Sequence, residues 1–395
     1  MKWESINKKE DNTVDLPDTW LFTHYFEALN TLFRVENSLR VFLFAVLKTT
    51  FEEKWLDINV TSDDAKEATI SKIAKQRKAQ AKTFGYLGYK TPCPLMYMTS
   101  GELIRIITSD SYWKHFNMYF LGSKEIIKNK LEEIGSVRNA LAHFRPIKQD
   151  DVDLIKQNAR HVLSNIEVCL VDMMSCANTV PTNTSEEWYT VLRTLGTDHC
   201  TLSFNQSNDE KWIMISFLYN CPVIGGRGSR HYRSDRALSI KTSSILKLFP
   251  ILQGSLVFLA EELKHPVMKE NGPKFDKQFK MLFSQELLSR KYKEIKTEIE
   301  NVLLKISEET NLLEDDNLAR GELVQGVTIR SQWKKREDKD TGWWSFDHDS
   351  LLCEVSEDDP PEYWGRLGYI EKDYVTSTED YPWMSVNVSK SNIPF

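Results

Sequence analysis

Arg138, Asn139 and His143 fall within one short stretch, Val137-Arg138-Asn139-Ala140-Leu141-Ala142-His143-Phe144-Arg145. A permanent cation, a carboxamide and an imidazole spaced over about one and a half helical turns make a set suited to handling a phosphodiester. An imidazole of ordinary pKa, near ~6.5, can take a proton from a ribose 2′-hydroxyl or give one to a leaving 5′-oxygen. A guanidinium offers a fork of donors that matches phosphoryl oxygens and offsets the extra charge on a pentacoordinate phosphorus. The chemistry such residues support is transesterification of RNA, and it requires neither metal nor cofactor.

Helical geometry limits which of the three can meet. Asn139 and His143 are four apart and share a face, whereas Arg138 and His143 are five apart, roughly 140° around the axis. Their convergence needs a bent terminus, the long reach of arginine, or a second copy of the helix. Pro146 pushes Arg145 out of helical dihedrals, which predicts a helix end close to His143. An imidazole there faces the negative end of the helix dipole, which favours its protonated form and suits a general acid. The plainer alternative is an ordinary helix end, with Arg138 in a surface ion pair, Asn139 as a cap and His143 half buried.

The elements that must position these residues read as amphipathic helices. Ser123 can start the motif helix, with Ile126, Ile127, Lys130, Ile134, Val137 and Leu141 as its inward stripe. Asp18 or Thr19 can cap a long helix in which Tyr25, Leu29, Leu32, Val35, Leu39, Phe42 and Val46 keep helical spacing. Glu36 and Arg40 form an i,i+4 pair on it, either as a helix-surface ion pair or as neighbours of Arg138 and His143. Residues 60 to 83 read as a second helix begun by Ser62-Asp63-Asp64. It carries a basic patch including Lys75, Arg77 and Lys78, which is either a solvated face or a guide for an RNA backbone. Thr99-Ser100-Gly101-Glu102 marks a further start with Ser100 as cap, and Asp150-Asp151-Val152-Asp153 starts a last helix with Ile155, Ala159, Val162, Leu163, Ile166 and Leu170 in register.

The Arg138 to His143 run, with a polar residue directly after the arginine, resembles the HEPN superfamily of helical ribonucleases. Phe33-Arg34-Val35-Glu36-Asn37-Ser38-Leu39-Arg40-Val41-Phe42-Leu43 is similar to the first long helix of such domains, and Phe51-Glu52-Glu53-Lys54-Trp55-Leu56 to its aromatic end. The likeness spans about residues 17 to 180. It implies a helical bundle and a homodimer in which Arg138, Asn139 and His143 of two copies face one cleft. It also implies cleavage of tRNA or mRNA to a 2′,3′-cyclic or 3′-phosphate and a 5′-hydroxyl. Many members of that superfamily are toxins or effectors of phage defence, so the remainder of the chain would sense a phage-derived or protein trigger. A non-catalytic scaffold of the same fold, binding RNA or a protein partner, is the alternative.

The chain of 395 residues is long enough for two or three domains, and its formal charge of −6 makes any RNA contact a local matter. Cysteines 93, 169, 176, 200, 221 and 353 show no zinc spacing and read as reduced thiols of a cytoplasmic protein. The apolar run 41 to 47 is too short to span a bilayer, so no membrane is implied. Residues 176 to 185 read as a linker. Beyond it Trp212 to Tyr219 is strand-like. The basic, glycine-rich stretch 225 to 233, with Arg227, Arg230 and Arg233, reads either as a mobile surface loop or as a contact for phosphates. Residues 242 to 264 and 274 to 312 read as helical. In the latter, Leu287, Leu288, Ile295, Ile299, Val302, Leu303 and Ile306 form a stripe that either packs on its own domain or seams a homodimer. From Leu323 the pattern is β, with strands at 324 to 333, 343 to 346, 351 to 355 and 364 to 370, and Asp347-His348-Asp349 as a turn rather than a metal site. The expected fold is mainly α with a C-terminal β region, an α+β class. Its expected parts are a bundle over 17 to 180, a mixed region over 185 to 320 and a small aromatic-rich β domain over 321 to 395.

Overall fold

Val41 to Leu47 is apolar at every position, so its helix must be enclosed on all sides. None of the seven is more than 5% exposed. In this computed structural model, residues 7–11, 14–15, 23–60, 68–84, 91–178, 180–229, 231–270, 272–316, 321–336, 341–366 and 382–383 are described. A short antiparallel pair, β1 (Asn7–Lys8) and β2 (Val14–Asp15), comes first. The enclosed helix is α1 (Thr23–Phe51), which continues into a tighter turn at Glu52–Asp57. Around it lie α2 (Ile70–Phe84), α3 (Ser100–Thr108), α4 (Trp113–Phe116), α5 (Lys124–Ala142) and α6 (Gln149–Ser175), with α6 along α1 and α5 against α3 and α6. On α5, Ile127, Leu131, Ile134, Val137 and Leu141 are buried. Ile126, expected among them, is exposed, and Lys130 bonds to Asn158 instead of joining the stripe.

A local cap explains the start of α3, whereas Ser123, expected to start α5, precedes it without a side-chain cap bond. Thr99, one residue before the expected Ser100, caps α3 and forms a capping box with Glu102. The same Glu102 carboxylate receives Arg77 of α2 at 2.6 and 2.8 Å. Burial pushes this carboxyl up, but the Arg77 guanidinium with the Thr99 amide and hydroxyl outweighs it and holds Glu102 below the usual glutamate value. A depressed carboxyl stabilises fully above its unfolded-state pKa, ~4.3, and loses that contribution as pH falls through the folded value. Glu102→Gln is therefore expected to lower stability at neutral pH and to flatten its decline below pH ~4, as read by urea unfolding across a pH series. The start of α2 falls at Ile70; Ser62-Asp63-Asp64, expected to begin it, lie outside the described residues.

The second half continues through α7 (Glu187–Leu192), β3 (Cys200–Gln206), β4 (Trp212–Cys221), β5 (Val223–Gly228), β6 (Tyr232–Ile240), α8 (Thr242–Leu248) and α9 (Pro250–Ser255). It ends with β7 (Phe258–Leu263), β8 (Val267–Lys269), β9 (Gly272–Ser284), α10 (Gln285–Asp316), β10 (Val324–Lys335), β11 (Gly342–Asp347) and β12 (Tyr363–Arg366). A six-stranded sheet has the order β12-β7-β9-β4-β3 with β8 beside β9, and a four-stranded sheet the order β11-β10-β6-β5. Among the described residues all strand pairings are antiparallel except β12 with β7.

Three expectations need correction. Residues 258 to 263 and 272 to 284 are strands, not helix. On β9 the inward row Phe275, Lys277, Phe279, Met281 and Phe283 has period two, but a lysine interrupts it. That lysine is fully buried against Glu261 at 2.7 Å, and Glu261 also takes the Tyr363 hydroxyl at 2.7 Å and the Cys353 amide at 2.6 Å. Residues 351 to 355 form no strand. The boundary at 320 dissolves, because β10 pairs with β6 and β12 with β7, so both sheets include strands from either side of it.

One face of the six-stranded sheet packs onto the bundle through Trp212, Met214, Phe258, Ala260 and Leu282. Trp364 and Trp383 extend that contact to α1, with ring centroids 6.1 and 5.2 Å from Phe44. Lys48 of α1 meets Glu362 at 2.6 Å, both side chains almost fully buried. The other face holds α10, whose Leu287, Leu288, Ile295, Ile299, Val302, Leu303 and Ile306 are at most 3% exposed. That stripe is satisfied within one chain, which removes it as a dimer seam. Ile299→Ala is expected to cost about 2–5 kcal/mol, read as a lower urea midpoint. Among the described residues no helix is long and apolar enough to cross a membrane.

Candidate active site

The end of α5 is built by its own backbone. His143 is the cap residue, and Phe144 follows with φ of 54°. The Phe144 amide donates to the Leu141 carbonyl and the Arg145 amide to the Ala140 carbonyl, both at 2.9 Å. This is the paired closure that turns a chain sharply out of a helix and satisfies its last carbonyls. Tyr25 of α1 then fastens the turn, its hydroxyl donating to the Arg145 carbonyl and accepting from the Ile147 amide, each at 3.2 Å. The helix stops where Pro146 requires, and His143 is left exposed on its rim.

Arg138 is held from α1. Its Nε lies 3.4 Å from Glu36 Oε1, and one terminal nitrogen lies 3.4 Å from the Asn139 side-chain oxygen. Glu36 also pairs with Arg40 at 2.9 Å and accepts the Ser100 hydroxyl. Arg40 donates further to Asn37 at 3.1 Å and to the Met98 carbonyl at 3.3 Å. Glu36 and Arg40 are thus neighbours of the motif as well as an i,i+4 pair. Their side chains are 19% and 11% exposed against 41% for Arg138, so the carboxylate anchors the guanidinium from below and leaves its outer edge in solvent. Among the described residues no hydrogen bond or ion pair joins the His143 ring to Arg138, to Asn139 or to any other group. Arg138 and Asn139 are brought together; His143 stands apart on the same helix end.

The other expected contacts disperse. Lys75 is exposed on α2, but Arg77 is committed to Glu102 and to the Tyr97 carbonyl at 2.5 Å, and Lys78 lies 3.8 Å from Glu357. The stretch 225 to 233, expected as a loop, is mostly the β5–β6 hairpin with a bulge between Ile224 and Arg227. Arg233 pairs with the buried Asp235 at 3.0 Å, and that hydrogen bond raises its pKa. Arg230 and the side chain of Arg227 lie outside the described residues. Asp347 ends β11, Asp349 begins a short 3-10 turn (Asp349–Leu351), and the ring of His348 between them meets the Phe346 carbonyl at 3.1 Å. All six cysteines are free thiols, and burial pushes Cys169, Cys200 and Cys221 up to about 12.

Ser100 and Tyr25 are the site residues that sequence reasoning missed. Ser100 had the signal of a helix cap and Tyr25 that of a core stripe, and both act across large separations in the chain. Comparison of the chain with protein-family models, with curated proteins and with solved structures gives no match.

Proposed function

We propose that the protein is a metal-independent endoribonuclease of HEPN type, acting as a homodimer on tRNA or mRNA in the cytoplasm. The observation that carries this reading is the end of α5, where an exposed His143 caps the helix and Arg138, on the same helix end, is held through Nε by Glu36. In the reaction, one His143 imidazole takes the proton of a ribose 2′-hydroxyl as its oxygen attacks the adjacent phosphorus. The bond from phosphorus to the 5′-oxygen breaks, and a second, protonated imidazole supplies the proton to that leaving oxygen. The products are a 2′,3′-cyclic phosphate and a 5′-hydroxyl. Arg138 neutralises the phosphorane, and the Asn139 carboxamide donates to a substrate oxygen. Two copies supply two imidazoles and overcome the 140° offset between Arg138 and His143 on a single helix. The sheet-rich half would respond to a phage-derived or protein trigger, making the enzyme a toxin or effector of antiviral defence.

Glu36 is a positioning residue in this scheme. Glu36→Gln keeps a hydrogen-bonding side chain but removes the charge that orients Arg138, and it is expected to lower kcat/KM about 10-fold through kcat. A rise in KM alone, or no change, would remove Glu36 from the scheme. The direct test is cleavage of tRNA in EDTA by wild type and by His143→Ala.

A further inference from the structure

Phe144 is 85% exposed, the most exposed large apolar side chain among the described residues. It also holds φ of 54°, a left-handed conformation that costs a residue with a Cβ free energy and that glycine adopts freely. The closure bonds from Phe144 and Arg145 to Leu141 and Ala140 require that conformation, and Tyr25 fixes the turn from the other side. A large ring at this place therefore adds neither burial nor backbone ease to the fold. By stability alone the position calls for glycine.

We propose that Phe144 is a stacking platform for an unpaired base of the RNA next to the scissile linkage; this rests on the ribonuclease reading above. The ring directly follows His143, so a base on its face belongs to a nucleotide flanking the reacting phosphate. Residues 138 to 149 hold Arg138, His143, Arg145 and Lys148 and no carboxylate, in a chain of formal charge −6. His143 and Arg145, the chain neighbours of the ring, are exposed as it is, and so is Lys148. An aromatic face flanked by cations is how single strands are gripped, the ring taking a base and the cations its phosphates. Interface cores take aromatic rings and arginine but exclude lysine, so Lys148 within this short stretch favours an open, phosphate-binding cleft over a closed protein contact. Stacking needs a base free of its complement, so the ligand class is single-stranded RNA rather than duplex. Because Tyr25 pins the turn, little ordering is left to be lost on binding.

The test uses the full-length His143→Ala protein, which holds RNA without turnover. Binding of a labelled short single-stranded RNA and of a blunt RNA duplex is followed by fluorescence anisotropy, with urea unfolding and light scattering alongside. Phe144→Gly is expected to raise the unfolding midpoint and yet weaken single-strand binding about 5- to 100-fold, leaving duplex binding unchanged. Phe144→Trp should restore affinity and Phe144→Leu should not. If the His143→Ala protein binds the single strand and Phe144→Gly binds it equally well, the platform is overturned while the ribonuclease reading stands. Full affinity in Phe144→Leu overturns stacking in favour of plain apolar contact. Loss of dimer in Phe144→Gly overturns it in favour of a contact between copies. If neither protein binds RNA and wild type does not cleave it, both readings fall together.

Discussion

His143→Ala is expected to reduce tRNA cleavage in EDTA by about 10²- to 10⁴-fold, the usual contribution of a positioned acid or base. The same change should leave the melting temperature nearly where it was. The imidazole is exposed and makes no hydrogen bond or ion pair with any described residue, and the helix end is closed by backbone amides of Phe144 and Arg145 rather than by the His143 ring. Little folding energy therefore depends on that side chain. Activity would be scored as new 5′-hydroxyl ends and cyclic phosphates. Cleavage that needs magnesium, or that survives the substitution, refutes the mechanism. Equal growth inhibition on overexpression of wild type and His143→Ala would favour a scaffold that binds without cutting.

Lys48→Met is expected to cost about 3–5 kcal/mol, because it strands a carboxylate in the interior. Lys48 and Glu362 are 3% and 2% exposed, their charges 2.6 Å apart, and the second Glu362 oxygen accepts from the Gln253 amide at 3.1 Å. Replacing both partners with methionine should recover most of the loss, since desolvation offsets much of the gain from a buried pair. Guanidinium unfolding followed by fluorescence and by circular dichroism would show whether the transition stays two-state. A single-variant loss under about 1 kcal/mol, or a double variant as unstable as the single, would sink this account of the joint.

Much of the bundle could be read from spacing, because Leu32, Val35, Leu39, Phe42 and Val46 repeat at the helical period, a pattern carried by the one helix whatever packs against it. The sheet was less legible. Phe258 to Ala260 is a continuous apolar run that suits a buried strand and a buried helix equally, and the length that would separate them is hidden by the helices just before it. On β9, Lys277 looks polar in a linear reading, and only the fold reveals Glu261 opposite it. The aromatic residues beyond 321 promised a domain of their own, but period and turn signals say nothing about which distant strand each will pair with. At the candidate site, Arg138 and His143 announced themselves by type and interval, and Glu36 by its offset from Arg40. Ser100 is 64 positions from Glu36 and Tyr25 is 120 from Arg145, distances at which no local pattern carries information.

The joint between Lys48 and Glu362 spans 314 positions of chain. At a synthesis rate of roughly 5–20 residues per second, ~15–60 s pass on the ribosome between the emergence of the first partner and that of the second. Throughout that interval Phe44 lacks Trp364 and Trp383, and the ammonium of Lys48 lacks its counter-ion. α1, which carries Glu36 and through it steadies Arg138, is thus completed last although it is made first. Protease resistance of α1 in arrested nascent chains should accordingly appear only once residues 362 to 383 have left the exit tunnel. A cell making the proposed nuclease would meet its activity only after residues 362 to 383 have joined α1.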